Sequence, residues 1–237
     1  PLIRFSVSFR NVDIAPCLAF DPAIAVAAPS LEVALIECDI VNAPTSDALW
    51  AEVEAASARI ATGYTIEQIR HRPAINATRA AYKALGKEPN RYRPSAEALC
   101  RRAVQGKGLY RTLAVIDIVN IVSMLSGHSI GAFDADRIEG ASLTLGVGRA
   151  GEPYEAIGRG LLNIESLPVY RDACGGIGTP TSDNERTALR PDTCHLLVTF
   201  NMYGESECGN REAVAMLADL LVRHAAATDL HTEYYRI

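Results

Sequence analysis

Residues 113–140 read LAVIDIVNIVSMLSGHSIGAFDADRIEG, and the change of texture inside them decides the fold class. From about Thr112 to Ser126 the chain is apolar almost all round, through Leu113, Val115, Ile116, Ile118, Val119, Ile121, Val122, Met124 and Leu125. A helix with no polar face has to sit inside the protein with other elements around it. Gly127 ends it, since glycine just past the last turn takes the left-handed conformation that closes a helix. Beyond that glycine the pattern shifts to short strands at about 129–133, 141–147, 153–157, 167–171 and 194–200, separated by Gly, Pro and Asp turns.

Working outward, residues 2–9 alternate Ile3, Phe5, Val7, Phe9 against Arg4, Ser6, Ser8, Arg10, the period of a half-buried strand, and residues 31–41 (LEVALIECDIV) predict a second. Ser46 or Asp47 caps a helix to about Ala61. Pro73 opens another that Gly86 stops, and Pro94 opens SAEALCRRAVQ, stopped by Gly106. A last helix runs from about Asn210 to Ala226 with Val214, Leu217, Leu221 and Val222 along it. Helices first and strands later, without βαβ alternation, predict an α+β fold in which first-half helices pack on a mostly antiparallel sheet, as one domain over 1–237.

Composition narrows the function classes. At 237 residues, 49% hydrophobic and 22% charged, the chain can bury a sizeable core. No run approaches the roughly 20 apolar residues of a membrane helix. Arg4, Arg10, Asp13, Asp21 and Pro22 interrupt any secretory apolar segment, so a cytoplasmic location is expected. The six cysteines form no C-x-x-C pair and read as reduced thiols, and the five histidines lack ligand spacing, so neither a metal nor another cofactor is expected. The glycines at 106–108 and 175–178 lack the spacing of nucleotide loops, and no G-x-S-x-G elbow is present.

Charge is distributed unevenly. Between Arg59 and Arg111 twelve Lys and Arg face three acidic residues, a local +9 against −14 for the remainder. Such a block either attracts phosphates or pairs with the acidic body. Tyr64, Tyr82, Tyr92 and Tyr110 are interleaved with it, and aromatic faces can stack on unpaired bases. Inside the apolar helix, Asp117, Asn120 and Ser123 stand at i, i+3, i+6 and form a narrow polar stripe. Buried without partners, each would cost about 1–3 kcal/mol, so the stripe ties down loops or lines a cavity.

Within 113–140, Ile116-Asp117, Asn120, Gly127, Ala132-Phe133-Asp134 and Asp136 to Gly140 follow a V-D-x-x-N, G-x-x-x-x-A-F-D, D-x-I-x-G series. In this the chain resembles the B3/B4 domain of the bacterial phenylalanyl-tRNA synthetase β subunit. The likeness extends through Gly151-Glu152, Val169 to Asp172 and the strand near His195–Phe200, over about 70–205. Upstream, Tyr82 to Gly86 and Arg91 to Arg102 resemble the stand-alone proteins of this type. The resemblance implies a free-standing tRNA-binding protein or a deacylase of mischarged aminoacyl-tRNA. The synthetase's editing histidine is Gly131 here, the Thr before the family's Asn is Val119, and its later glutamate has no counterpart at 178–182.

Hydrolysis of an aminoacyl ester needs a positioned water and donors for the developing oxyanion. On the resemblance, Asn120 orients the water or the substrate's ammonium group, and His128 is the candidate base, with an ordinary pKa near working pH. Asp117, Ser123, Gly131, Phe133, Asp183 and Arg186 are the expected substrate-binding residues, and Arg91, Arg93, Arg101 and Arg102 the expected RNA contacts. The expected partners are the aminoacylated 3′ end of a tRNA and its amino acid. A non-catalytic RNA-binding module and an amino-acid-binding protein are the alternatives.

Overall fold

The computed structural model describes residues 17–237; the strand read over 2–9 lies outside them. In chain order the elements are β1 (Cys17–Phe20), α1 (Pro22–Ala27), β2 (Glu32–Asp39), α2 (Asp47–Gly63), α3 (Ile66–Ile69), α4 (Pro73–Ala84), α5 (Ser95–Val104) and α6 (Ala114–Ser126). There follow β3 (Ile130–Asp134), β4 (Ser142–Val147), β5 (Glu155–Ala156), β6 (Gly160–Leu161), β7 (Pro168–Arg171), β8 (Gly176–Gly178), β9 (His195–Met202), α7 (Asn210–Ala225) and β10 (Thr228–Arg236). Single 3-10 turns occupy Ala135–Arg137 and Glu185–Thr187.

Local chemistry sets these boundaries. Ser46 Oγ accepts the Leu49 N–H at 3.2 Å and starts α2. Pro73 stands in the first turn of α4, where a missing N–H costs nothing. Gly127, at φ +79°, closes α6 by donating its N–H to the Ser123 carbonyl. The described residues are α+β, as the pattern of helices and strands implies.

Two four-stranded sheets carry the architecture, ordered β10-β2-β9-β3, antiparallel throughout, and β1-β4-β7-β8, in which only the β1/β4 pair is parallel. Successive side chains of a strand point to opposite faces, and here the alternation divides two cores. Ala34, Ile36 and Cys38 of β2 and Leu196, Val198 and Phe200 of β9 pack beneath α2, α5, α6 and α7. Val33 and Leu35 of β2, Leu197 of β9 and Phe133 of β3 face the second sheet, meeting Leu143, Leu145, Tyr170 and Ile177. The layers are therefore helices, sheet, sheet. One sheet was expected from the sequence; the second appears because β1, β4, β7 and β8 turn their apolar residues toward the outer face of the first. No helix among the described residues is long and apolar enough to cross a membrane.

Candidate functional site

The inter-sheet layer turns polar where β3, β8 and β9 meet. Gly131 of β3 is paired with Thr199 of β9, so both project toward the second sheet. From that sheet Gly178 forms a bridge with Asp183, and the Asp183 carboxylate accepts the Ala132 N–H at 3.2 Å. A Cβ built on Gly131 would lie 2.6 Å from Thr199 Oγ1 and 2.8 Å from the Phe133 ring; one on Gly178 would lie 2.5 Å from that ring and 3.0 Å from Asp183 Oδ1. Glycine at both positions is thus what lets the Phe133 ring lie between the sheets beside the carboxylate.

Burial pushes the Asp183 carboxyl up to about 7, against the opposing pull of the Ala132 N–H. Asp183 nevertheless stays partly accessible. A carboxyl in this state exchanges protons near neutrality. Around it, Tyr170 O–H donates to Asn201 Oδ1 at 2.5 Å, Asn201 Nδ2 donates to the Ser129 carbonyl at 2.8 Å, and the Tyr82 and Thr181 hydroxyls pair at 2.9 Å. Thr179 Oγ1 accepts the N–H groups of Thr181 and Ser182 and fixes the turn that carries Asp183. Thr199 Oγ1 and Tyr203 Oη are buried with no hydrogen-bond partner among the described residues. Buried polar groups are normally paired, so these two hydroxyls are a local departure from that rule in the inter-sheet layer.

Gly131, Phe133 and Asp183 come together; the other expected site residues do not join them. His128, expected as the base, is corrected to a core residue. Its Nε2 is 2.9 Å from Asn210 Oδ1, its ring stands edge-on to Phe200 at 5.5 Å, and burial lowers its pKa to about 4, so it is neutral at working pH. Asp117 is likewise a loop tie: its two oxygens accept from Thr45 Oγ1 at 2.5 Å and from Thr112 at 3.0 Å. Ser123 is buried in the helical layer, whereas Asn120 is half-buried on α6 and makes no side-chain hydrogen bond to the described residues. Arg186 bonds Asp172 at 2.7 Å and the Arg137 carbonyl. Burial opposes ionisation of Asp172, but this bond and two backbone N–H groups hold its carboxyl below the usual range.

Thr199 and Tyr203 were missed. The signal was there for Thr199, a lone polar residue in the apolar run LLVTF, by the same logic that singled out the stripe on α6.

The basic block also divides. Arg101 and Arg102, expected on RNA, donate to the backbone carbonyls of Ile66, Gly108 and Lys107. Arg91 and Arg93 are exposed, the former over the Tyr92 ring and the latter 4.0 Å from Glu97. Arg79 is buried against Glu97 at 2.7 Å, and Lys87 Nζ donates to the Asn163 and Glu165 carbonyls. What remains is a shallow groove of about 220 Å³ along α4, lined by Arg70, His71, Asn76, Arg79, Lys83 and Asn90.

The Gly131 geometry predicts that Gly131→Ala destabilises by about 1–3 kcal/mol, the usual cost of overpacking a filled core. Urea denaturation measures it. A change under about 0.5 kcal/mol would mean that the Phe133 ring moves aside freely.

A family model described as the B3/4 domain matches residues 77–216. A search of curated proteins finds no match. Among solved structures, an N-terminal fragment of the phenylalanyl-tRNA synthetase β subunit from Pyrococcus horikoshii is similar at 11% identity and a TM-score of 0.48, over 95% of this chain and 55% of that one. This chain thus spans about half the length of that fragment. Since the matched model takes in more than half of the 237 residues, the chain belongs to the B3/4 domain family.

Proposed function

We propose that this protein binds the aminoacylated 3′ end of a tRNA and hydrolyses a mischarged ester, with Asp183 as the proton acceptor. One observation carries the reading: a partly accessible carboxyl, pushed up to about 7, at the junction of β3 and β8. A base works best when its pKa lies near the operating pH. The Asp183 carboxylate takes a proton from water as that oxygen bonds to the ester carbonyl carbon. The bond to the ribose oxygen then breaks, and the proton returns from Asp183 to the leaving oxygen. Free amino acid and uncharged tRNA result. Thr199 Oγ1 and Tyr203 Oη, which have no hydrogen-bond partner among the described residues, would meet polar groups of the amino acid.

The test is a deacylation screen of the purified chain against a panel of mischarged tRNAs, repeated with Asp183→Asn. Hydrolysis of at least one ester supports the reading, and intact esters throughout overturn it. Intact esters together with salt-sensitive tRNA binding would favour the non-catalytic module. That second reading is motivated by the groove along α4 and by glycine standing where the synthetases have their editing histidine.

The groove yields its own expected result. Arg70 and Lys83 are exposed, so replacing both with Ala should weaken tRNA binding uniformly across sequences and reduce the slope of log affinity on log salt by about 1–2, while Arg101→Ala changes it little. Filter binding over a salt series checks this. An unchanged slope in the double variant moves the phosphate contacts elsewhere.

A further inference from the structure

Where the end of β2, the start of β9 and the turn after β3 meet, three segments far apart in sequence converge. Asp136 lies in the 3-10 turn after β3, Cys194 immediately precedes β9, and His195 is its first residue. One ligand atom from each lies within 4.8 Å of the other two. Asp39, at the end of β2, is the cross-strand partner of His195, and its Oδ1 is 2.6 Å from His195 Nδ1.

That last contact fixes the chemistry of the ring. A carboxylate only accepts, so Nδ1 must carry the hydrogen, and in the neutral ring Nε2 then presents a lone pair. Nε2 faces Asp136 Oδ2 at 3.8 Å, with the Cys194 thiol beside them. Three donor atoms therefore lie close together, and the histidine is held from behind by a carboxylate. This is the arrangement by which ligating imidazoles are oriented in metal proteins. Bonds of about 2.0–2.3 Å to zinc place neighbouring donors of a tetrahedron about 3.3–3.7 Å apart. Asp136 and Cys194 are exposed and His195 is half-buried, so the side chains have room to rotate toward a bound ion.

We propose that Asp136, Cys194 and His195 bind a divalent transition cation of the zinc type, with Asp39 as the positioning residue and a fourth position open to water. Mixed thiolate, imidazole and carboxylate donors select zinc over the hard cations magnesium and calcium. Bound there, the ion ties the turn after β3 to the start of β9. Linear spacing hides the site, because positions 39, 136 and 194–195 are brought together only by the β2-β9-β3 pairing.

The probe is Co²⁺ titrated into the metal-free, reduced full chain and followed by absorption. The expected result is one equivalent bound, with intense tetrahedral bands and a thiolate-to-cobalt charge-transfer band, all displaced by Zn²⁺. Cys194→Ser should abolish the charge-transfer band, and His195→Ala and Asp136→Asn should each weaken binding more than about tenfold. Asp39→Asn should weaken it about 10–100-fold while leaving the thiolate band intact, as expected for a group acting through the histidine. Cys17→Ser and Cys174→Ser, at two other exposed thiols, should change nothing. Circular dichroism confirms that each variant is folded. Absence of tetrahedral bands, or a thiolate band that survives Cys194→Ser, overturns the proposal.

Discussion

Asp183→Asn is expected to abolish ester hydrolysis, by about 10²–10⁴-fold in rate, while making the protein more stable at neutral pH. The two effects share one cause. Burial raises the Asp183 carboxyl from 3.8 to about 7, so the folded state holds a proton that the unfolded chain has already released. The native state therefore binds more protons between about pH 4 and 7, and by linkage the contribution of Asp183 to stability falls as pH rises through that window. Asparagine keeps an acceptor for the Ala132 N–H and has no charge to desolvate. The stability difference between variant and wild type should be close to zero at pH 4, grow through the window and level off above about pH 7, at about 1–3 kcal/mol after allowance for partial exposure.

His128 works in the opposite direction. Its folded pKa is lowered from 6.5 to about 4, so its contribution is lost as pH falls through that range. In wild type the two slopes offset; in Asp183→Asn the His128 slope is uncovered. Thermal melts across pH 4 to 8 check both statements. In the same series, hydrolysis by wild type should fall below about pH 7, a limb that His128, neutral well below that pH, cannot supply. A variant that keeps its activity and loses stability would make Asp183 a structural group.

How far the sequence carried these readings depended on whether a signal was local. The α6 helix, its Gly127 stop, the Ser46 cap and the proline starts of α4 and α5 follow from side chains within a few residues, and the structure places them within two residues of expectation. β10 escaped because its half-exposed run TDLHTEYYR has no apolar face to alternate. The short β1 and α1 likewise lie in a stretch without a clear period.

The stripe on α6 shows the limit more sharply. Spacing set Asp117, Asn120 and Ser123 in one stripe, but it could not tell a loop tie from a cavity wall, because Thr45 lies 72 residues away from Asp117. The same holds for His128, whose surroundings are set by Asn210 and Phe200 on other elements. Asp183 was legible only as a polar residue in TSDNERT; its raised pKa comes from burial by β3 and β8, which no neighbour in sequence announces.

Arg72→Met should destabilise the fold by about 3–5 kcal/mol without altering the salt dependence of tRNA binding by the protein that remains folded. Arg72 belongs by composition to the +9 block, yet it is only 3% exposed. Its guanidinium donates to the Met124 carbonyl at 2.6 Å and the Leu125 carbonyl at 2.9 Å, and it bonds Glu207 at 2.8–2.9 Å while lying over the Tyr64 ring. Those carbonyls are among the last of α6, groups that a helix cannot satisfy by itself and where positive charge is favoured.

Methionine fills much of the volume but takes the guanidinium from the Met124 and Leu125 carbonyls and leaves Glu207 with the Tyr64 hydroxyl but no cation, which is the costly way to break such a pair. Arg72→Lys should recover only part of the loss, since one ammonium cannot span acceptors arranged for a planar fork. Glu207→Gln should cost less, about 1 kcal/mol, because the Glu207 side chain is 34% exposed and the amide still accepts. Urea midpoints for the three variants give the order. If Arg72→Met melts within about 1 kcal/mol of wild type, or flattens the salt slope for tRNA, then this arginine faces the ligand, and the block's charge is to be assigned to binding after all.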